Sequence, residues 1–516
     1  MTTFIASIAT PTDAAAELLI VPFFRGREPG PGFRAVEKAL DADLVATLAE
    51  NHVVGKLGDL FTVPTFGRLP ASTVLLVGLG PKGEAGTSEI RSAAIRAGRR
   101  ARQSRTVAST LHRVGRSAEE SARALAEGLA LGAYRFTRYK RRPIDEESVE
   151  APVLENVLAL GGPDGAAVQR GLSRGQIYAE SANLARDLVN TPAIDATPTY
   201  LADEAARVAR EVGLECKTWT KSQLQRGGFG GVLGVGSGSA HDPRMVELTY
   251  SGGRQGSAPI AITGKGITFD SGGLSIKDAH GMETMKIDMS GAAAAIATMR
   301  AVALLKPKVN VIAAIAFAEN MPSGSAIRPG DVLTHRGGKT SEVLNTDAEG
   351  RVLLADVLAY LSEQKPSVII DSATLTGAAM VALGLELYAV IGNDAELVRD
   401  LLRAGEESGE PGWELPLWDG YRRNIESTIA DVKNIGPRYG GAITAALFLN
   451  EFVDGTPWAH LDVASTAFVE GGSDIWPKGA TGSPARTLIR YIERKAESSK
   501  ATGARRRTTS GGRRSG

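Results

Sequence analysis

Over residues 193–497, short apolar or β-branched runs alternate with stretches of helical length, and this alternation restricts the possible folds more than any other feature of the sequence. The candidate strands are Pro259–Gly264, Val309–Ala318, Val368–Ser372 and Ala389–Gly392, and the candidate helices are Gly291–Leu305, Arg351–Ser362 and Pro484–Lys495. A repeated strand–loop–helix order predicts an α/β fold with a mostly parallel sheet flanked by helices. Functional side chains are then expected outside the carboxyl ends of the strands.

A smaller α/β domain is predicted before this region. Its candidate strands are Ala16–Phe24 and Ser72–Gly78, and its candidate helices are Ser88–Gln103 and Ala118–Leu131. The turn-forming sequence Gly-Gly-Pro-Asp-Gly at 161–165 marks the boundary. We therefore expect an N-terminal domain over residues 1–165, a linking helix over 166–188, a larger C-terminal domain over 189–499 and a disordered arginine-rich tail over 500–516.

The formal net charge of the chain is +1, but its C-terminal tail and the rest of the chain carry charges of opposite sign. Residues 501–516 carry five arginines and no acidic residue, so the remainder has a formal charge of 1 − 5 = −4. A mildly acidic body argues against an extended nucleic-acid-binding surface on the folded part.

Several features of the sequence indicate the cellular compartment in which the protein is expected. Its one cysteine, Cys216, excludes an intrachain disulfide and is typical of a reducing environment. The N-terminal apolar stretch lacks a basic start and is interrupted by Asp13 and Glu17, so it does not resemble a signal peptide. Apolar runs such as Val311–Ala318 are shorter than the roughly 20 residues that span a bilayer. We expect a cytoplasmic protein without membrane association.

Polar functional groups are densest in residues 261–288. Lys265 follows a candidate strand, Asp270 comes five positions later in a glycine-rich loop, and Asp288 precedes an alanine-rich helix. Positions at strand ends and helix starts allow these side chains to converge on one crevice. An acidic residue near a helix start also interacts favourably with the helix dipole, so Asp288 has a structural explanation as well.

A second acidic pair, Asp347 and Glu349, lies in a turn that leads into the helix predicted from Arg351. Two carboxylates at this spacing can face one cation, and oxygen ligands suit Zn²⁺, Mn²⁺ or Mg²⁺. The alternative is that Thr346 or Asp347 caps the helix. The sequence contains no His-Glu-x-x-His pair, and no Gly-x-Ser-x-Gly elbow stands out between a candidate strand and a candidate helix, so a zincin-type or serine hydrolase is not favoured.

Together these segments resemble the leucine aminopeptidases, also called cytosol aminopeptidases. Residues 345–351 read Asn-Thr-Asp-Ala-Glu-Gly-Arg, the signature of that family. The upstream motifs follow in the family's order and spacing: Gly264–Gly266, Phe269–Gly273, Lys277, Met285-Lys286 and Asp288–Gly291. Residues 371–377 are similar to its substrate-side strand and loop. The resemblance covers about residues 170–495 well and the first domain, which would be macro-like, only in general layout.

The resemblance implies a catalytic domain with two divalent metal ions, Mn²⁺ or Zn²⁺. The tighter ion would be bound by Lys265, Asp270, Asp288 and Glu349, and the more exchangeable one by Asp270, Asp347 and Glu349. Four carboxylates would then balance two cations that lie roughly 3.5–4 Å apart. Lys265 can act as a ligand only as a neutral amine.

The resemblance also implies a mechanism for a leucyl aminopeptidase that removes N-terminal residues, mostly apolar, from short peptides. A metal-bridging hydroxide would attack the first carbonyl, Lys277 would stabilise the developing oxyanion, and Arg351 would hold a bicarbonate ion as the general base. Met285, Thr374 and Leu375 would line the pocket for the first side chain, although core packing also explains Met285 and Leu375. The family's assembly implies a homohexamer.

Two other functions stay open at this stage. The sequence Gly78-Leu79-Gly80-Pro81-Lys82-Gly83 fits a dinucleotide-binding turn, but no acidic residue follows about 20 residues later, so a plain strand–turn–helix is favoured. Some bacterial relatives have a secondary DNA-binding or regulatory role, and the arginine-rich tail could contact phosphates. The acidic body makes nucleic acid a possible but not favoured partner.

Overall fold

The structure is a computed structural model that describes residues 2–140, 154–162, 164–473 and 475–510. It divides into two compact units, which we describe separately. Unit 1 comprises Met1–Asn183 and Gly471–Pro477, and unit 2 comprises Leu184–Glu470 and Lys478–Gly516. Pro163, within the predicted boundary, lies outside the described residues.

Unit 1 contains a largely parallel sheet with strand order β1-β7-β6-β2-β5-β4, and β3 pairs with β2. Its strands are β1 (Thr3–Ser7), β2 (Leu18–Phe24), β3 (Glu28–Pro29), β4 (Leu60–Pro64), β5 (Thr73–Gly78), β6 (Thr106–Ser109) and β7 (Asn156–Leu160). Its helices are α1 (Phe33–Leu40), α2 (Leu44–Glu50), α3 (Thr87–Ala101) and α4 (Ala118–Ala133), and the long helix α5 (Gly165–Asn190) begins in it.

The two faces of this sheet bury separate cores. Side chains of α3 and α4 pack on one face, and side chains of α1 and α2 pack on the other. Successive residues of a strand face opposite sides, and accordingly Ile20 joins the first core whereas Leu19 and Val21 join the second. The glycine-rich segment 78–83 forms the turn between β5 and α3.

Unit 2 is built on a nine-stranded sheet with the order β17-β16-β19-β15-β10-β12-β9-β8, and β11 pairs with β12. Its strands are β8 (Glu215–Trp219), β9 (Arg244–Ser251), β10 (Ile260–Gly264), β11 (Ile267–Asp270), β12 (Asn310–Asn320), β15 (Val368–Ala373), β16 (Tyr388–Gly392), β17 (Gly412–Glu414) and β19 (Trp458–Asp462). Smaller sheets contain β13 (Asp331–Thr334), β14 (Thr340–Val343), β18 (Val432–Lys433), β20 (Phe468–Val469) and β21 (Gly479–Ala480).

Helices cover both faces of this sheet, as the sequence predicts. They are α6 (Pro198–Val212), α7 (Lys221–Arg226), α8 (Gly230–Val235), α9 (Ala279–Met282), α10 (Ser290–Leu305), α11 (Glu349–Glu363), α12 (Gly377–Leu383), α13 (Ala395–Ser408), α14 (Gly441–Asn450) and α15 (Ala485–Ser510). Residues of α6, α10, α13 and α15 form the core on one face, and residues of α8, α11 and α14 form the core on the other.

The four central strands β12, β10, β15 and β19 run parallel, so their carboxyl ends lie at one edge of the sheet. Lys265 follows β10 directly, and Asp270 is the last residue of β11. Sequence reasoning placed Asp270 in a loop, but the β-branched and aromatic residues before it form a short strand beside β12.

Helix α10 and the 3₁₀ turn before it form the one segment among the described residues, Met285–Leu305, that is long and apolar enough to cross a membrane. The sequence had suggested that no run reaches that length. In the structure 83% of its most apolar window is buried inside the protein, and α10 packs against β10 and β15. The length and composition of this segment are therefore explained by its place in the core of unit 2.

The last helix, α15, continues to Ser510, whereas the sequence predicts disorder over residues 500–516. The run Ala504-Arg505-Arg506-Arg507 consists of good helix formers, which accounts for the extension of the helix. Residues 511–516 lie outside the described part of the chain, so disorder there stays a prediction.

Candidate metal centre

Four buried or half-buried carboxylates and two lysines meet at the carboxyl edge of the large sheet. Asp288 lies in the 3₁₀ turn Met285–Met289 that precedes α10, and Glu349 is the first residue of α11. Asp347 lies in the turn just before α11, and the loop after β11 carries Lys277. The structure thus brings together the six residues that lay in two separate clusters of the sequence.

Lys265 occupies the inner part of this site. Its Nζ lies 2.8 Å from Oδ2 of Asp288 and 2.8 Å from Oε1 of Glu349, and it also donates to the carbonyl of Thr374 at 3.2 Å. Burial by itself lowers the pKa of Lys265, but the charges of Asp288 and Glu349 outweigh it and raise the pKa above its usual range. In this state Lys265 is an ammonium group and balances part of the surrounding negative charge.

Lys277 pairs with the other two carboxylates. Its Nζ lies 2.9 Å from Oδ2 of Asp270 and 2.5 Å from Oδ1 of Asp347. Burial lowers the pKa of Lys277, but the charge of Asp270 and the hydrogen bond to Asp347 raise it more. Lys277 is more exposed than Lys265, with 18% against 5% of the side chain accessible, so its ammonium faces the open side of the site.

The carboxylates outnumber the lysines, so with all six groups ionised the formal charge of the site is −4 + 2 = −2. Burial, together with the charge of Asp270, raises the pKa of Glu349 well above its usual value. Oε2 of Glu349 is buried and has neither a hydrogen-bond nor an ion-pair partner among the described residues. Ligand oxygens of Asp270, Asp347 and Glu349 lie within 4.8 Å of one another, so this donor set fits divalent cations.

The loops that carry these carboxylates are joined by hydrogen bonds around Thr346. Its Oγ1 donates to the carbonyl of Gly272 at 2.6 Å and accepts from the amide of Ser275 at 2.8 Å. The amide of Thr346 in turn donates to Oγ of Ser275 at 3.1 Å. The capping alternative for this segment is wrong, because α11 begins at Glu349 and its N-cap, Ala348, has no side-chain cap.

The segment after β15 closes another side of the site. Thr374 is buried and donates to Oδ1 of Asp288 at 2.8 Å, which orients that carboxylate. Leu375 is half-buried against the core that contains α11, and its amide donates to Oδ1 of Asp462 at 3.1 Å. Met285, in the turn before α10, is also half-buried. A role for Met285, Thr374 and Leu375 in substrate binding stays a prediction.

Arg351 lies in the first turn of α11 and is only 7% exposed. Its Nε is buried without a hydrogen-bond partner among the described residues. Burial lowers the pKa of Arg351 to about 10, although the charges of Glu349 and Asp462 act in the opposite direction. A buried guanidinium with a free donor is suited to a planar anion, because its fork of N–H groups matches two oxygens of such a group.

Sequence reasoning missed several polar residues that support the site. The most important are Asn320, His460 and Asp462, which lie at or near the carboxyl ends of β12 and β19. Their signal was present, since polar residues at the ends of parallel strands face the functional edge of such a sheet. Their partners, however, depend on which strands are neighbours, and Asp371 and His460 are 89 positions apart.

Two family models match the chain, and both are described as the cytosol aminopeptidase family. The model of the catalytic domain matches residues 183–489, and the model of the N-terminal domain matches residues 20–143. A probable cytosol aminopeptidase of Syntrophotalea carbinolica is 42% identical over 92% of this chain and 97% of its own length. One from Streptomyces griseus is 44% identical over 96% and 99%.

Solved structures give the same result. The bottromycin maturation enzyme BotP is 38% identical, with a TM-score of 0.83 over 94% of this chain and 100% of its own. A mutant of tomato leucine aminopeptidase is 33% identical, with a TM-score of 0.85 over 96% and 97%. These similarities give no support to a DNA-binding function. The two-domain α/β fold, the acidic site and both family matches identify a metal-dependent aminopeptidase, and the chain belongs to the cytosol aminopeptidase family.

Proposed function

We propose that the chain is a two-metal leucyl aminopeptidase that removes N-terminal leucine and other, mostly apolar, residues from short peptides. The observation that carries the proposal is the convergence of Asp270, Asp347 and Glu349, whose ligand oxygens lie within 4.8 Å of one another. Asp288 and Lys265 extend this group on the buried side, where each is about 5% accessible. The site therefore has donors for more than one cation.

In this proposal Lys265, Asp270, Asp288 and Glu349 hold the tighter ion, and Asp270, Asp347 and Glu349 hold the more exchangeable one. Lys265 must lose its proton to bind a cation, and cations beside its nitrogen favour that loss. Oxygen donors with one amine suit Mn²⁺ and Zn²⁺. A solved structure of BotP in complex with Mn, with 38% identity to this chain, favours Mn²⁺ as the first ion to test.

When bound, the two cations would lower the pKa of a water molecule and polarise the first peptide carbonyl. The protein's own contribution is to place charges around that carbonyl. The ammonium of Lys277 is half-buried on the open side of the site, where it can donate to an oxygen that becomes negative during attack. Arg351 can hold a bicarbonate ion, and that ion would supply the general base.

The substrate's free α-amine would bind near the inner cation, which restricts the reaction to N-terminal residues. The Asp288 carboxylate, fixed by the Thr374 hydroxyl at 2.8 Å, would orient that end of the substrate. Met285 and Leu375, both half-buried, would provide an apolar pocket for the first side chain. We further propose that the protein is a cytoplasmic homohexamer, as the family resemblance implies.

The requirement for a free amine gives a direct test of the reaction. We compare hydrolysis of Leu-p-nitroanilide with that of N-acetyl-Leu-p-nitroanilide, and of Leu-Gly-Gly with longer leucine-initiated peptides. The proposal predicts release from the free amine only and a preference for short peptides. Equal cleavage of the acetylated substrate would exclude aminopeptidase action at this site.

A further inference from the structure

Asn320 is the last residue of β12, and its side chain lies between the two loops that carry the candidate ligands. It is only 2% exposed. Its Nδ2 donates to Oδ1 of Asp270 at 2.7 Å and to the carbonyl of Thr346 at 3.0 Å. A single amide group therefore joins a carboxylate of the first ligand segment to the backbone just before Asp347 in the second.

The first of these hydrogen bonds determines which oxygen of Asp270 is free. Oδ1 accepts from Nδ2 of Asn320 and also from the amide of Gly272 at 2.9 Å. Two donors occupy this oxygen, whereas Oδ2 faces the ammonium of Lys277 at 2.9 Å. Asn320 thus orients the carboxylate of Asp270 so that Oδ2 points toward the ammonium of Lys277.

The second hydrogen bond fixes the distance between the loops. The carbonyl of Thr346 belongs to the residue immediately before Asp347, so its position limits where the Asp347 carboxylate can lie. The side chain of Asn320 packs closely against Gly273 and has little room to move. A Cβ atom at Gly273 would lie only 2.8 Å from Oδ1 of Asn320. The backbone carbonyl oxygen of Asn320 also accepts two hydrogen bonds, one from the amide and one from the hydroxyl of Ser271.

We propose that Asn320 is a positioning residue of the metal centre, which presets the Asp270 carboxylate and the Asp347 loop for divalent cations. The inference rests on the proposed function, because it assumes that Asp270 and Asp347 are ligands. Partners that orient ligands without touching the ion commonly change metal affinity about 10- to 100-fold when they are replaced. Asn320 acts through its side chain alone, so substitution leaves the backbone hydrogen bonds with Ser271 available.

The same strand offers a matched control. Asn310 is the first residue of β12, and its Nδ2 donates to the carbonyls of Arg254 and Ser257 at 3.1 and 3.0 Å. Its Oδ1 accepts from the amide of Gly253 at 3.0 Å. Asn310→Ala therefore removes a similar set of side-chain hydrogen bonds at the opposite end of the strand, away from the ligands.

The test compares full-length wild type, Asn320→Ala, Asn320→Leu and Asn310→Ala after removal of metal with a chelator. Mn²⁺ is titrated into each protein by calorimetry, and circular dichroism checks the fold. We expect the Kd for Mn²⁺ to rise about 10- to 100-fold in both Asn320 variants and to change less than about twofold in Asn310→Ala. Asn320→Leu is close in size to asparagine, lacks the donor and adds no charge, so it carries the test if Asn320→Ala fails to fold.

The outcomes separate this inference from the function on which it rests. If wild type fails to bind Mn²⁺ or Zn²⁺, the proposed metal centre itself is wrong. If wild type binds and folded Asn320 variants bind equally well, only the role of Asn320 is wrong. If a variant unfolds without metal, the Mn²⁺ concentration that restores folding is measured, and restoration near the wild-type Kd also contradicts the inference.

Discussion

The Nζ atom of Lys277 lies 2.9 Å from Oδ2 of Asp270, the oxygen that no hydrogen bond from Asn320 or Gly272 occupies. A cation that binds Asp270 and Asp347 competes with this ammonium for the same carboxylates. The competition would release Lys277 toward the substrate when the ion binds. One lysine can therefore stabilise the metal-free site and later donate to the reacting carbonyl.

Replacement of this lysine should separate catalysis from metal binding. We expect Lys277→Met to lower kcat about 10²- to 10³-fold, because a charged donor to the developing oxyanion is lost. The Kd for Mn²⁺ should not rise, because removal of a positive charge next to the cation does not weaken its binding. Lys221→Met, which removes an exposed ion pair with Asp242, is the control. An unchanged kcat in Lys277→Met would exclude the assigned role.

Activity should be far more sensitive to replacement of Glu349, the first residue of α11, than to replacement of Glu363, the last. Glu349→Gln keeps the size of the side chain but removes the charge of a proposed ligand to both ions, so kcat/KM should fall by more than the about 100-fold typical of outer-shell changes. Glu363→Gln, at the end of the same helix, removes an exposed partner of Arg336 and should have little effect. Circular dichroism would verify both folds. Near-normal activity in Glu349→Gln would contradict the ligand assignment.

Stabilisation by metal should increase with pH. Burial, with the nearby charge of Asp270, raises the pKa of Glu349 well above its usual value. The folded metal-free protein therefore retains a proton there that the unfolded chain releases, so its stability falls as pH rises from about 4.5 through the raised pKa. Cations favour the ionised carboxylate and relieve this loss. We expect the increase in Tm with saturating Mn²⁺ to be larger at pH 8 than at pH 6. A larger increase at pH 6 would contradict this prediction.

The buried ion pair of His460 should stabilise the protein less as pH rises, whereas the stabilisation by metal should increase. Nδ1 of His460 donates to Oδ1 of Asp371 at 2.6 Å, and Nε1 of Trp458 donates to Oδ2 at 2.7 Å. Burial lowers the pKa of His460, but the charge of Asp371 outweighs it and raises the pKa overall. Stability from this pair is therefore fully present below the unfolded value near 6.5 and is lost as pH rises through the folded pKa.

Urea unfolding of His460→Gln between pH 5 and pH 8 checks this dependence. The difference in the free energy of unfolding between wild type and variant should shrink as pH rises, because only the charged pair is pH-dependent while the lost packing is not. His241→Gln, at an exposed position, provides the control. A difference that grows with pH would show that His460 is not stabilised in its charged form.

Much of the fold and most of the site follow from local sequence. The alanine-rich stretch and the β-branched run located α10 and β15 to within about two residues, because such compositions favour a buried helix and a buried strand. The signature at 345–351 located Asp347 and Glu349, although the start of α11 lies two residues earlier than expected. The family resemblance then connected these residues with Lys265 and Asp288.

The supporting residues could not be predicted in the same way. Asn320 bonds to Asp270 because β11 and β12 are neighbours, and His460 bonds to Asp371 because β15 and β19 are neighbours. Such partnerships depend on strand order, which local periodicity does not contain. The expected disorder and the observed extension of α15 differ for another reason, since a composition rich in Gly, Ser and Arg favours disorder whereas Ala and Arg favour helix.

The most direct test of the account is hydrolysis of Leu-p-nitroanilide by the purified protein before chelation, after chelation and after addition of Mn²⁺ or Zn²⁺. The account predicts that chelation abolishes release of p-nitroaniline, that added metal restores it, and that Glu349→Gln recovers little activity at any metal concentration. Hydrolysis that persists after complete removal of metal, or that added Mn²⁺ and Zn²⁺ both fail to restore in a folded protein, would contradict a two-metal centre at Asp270, Asp347 and Glu349.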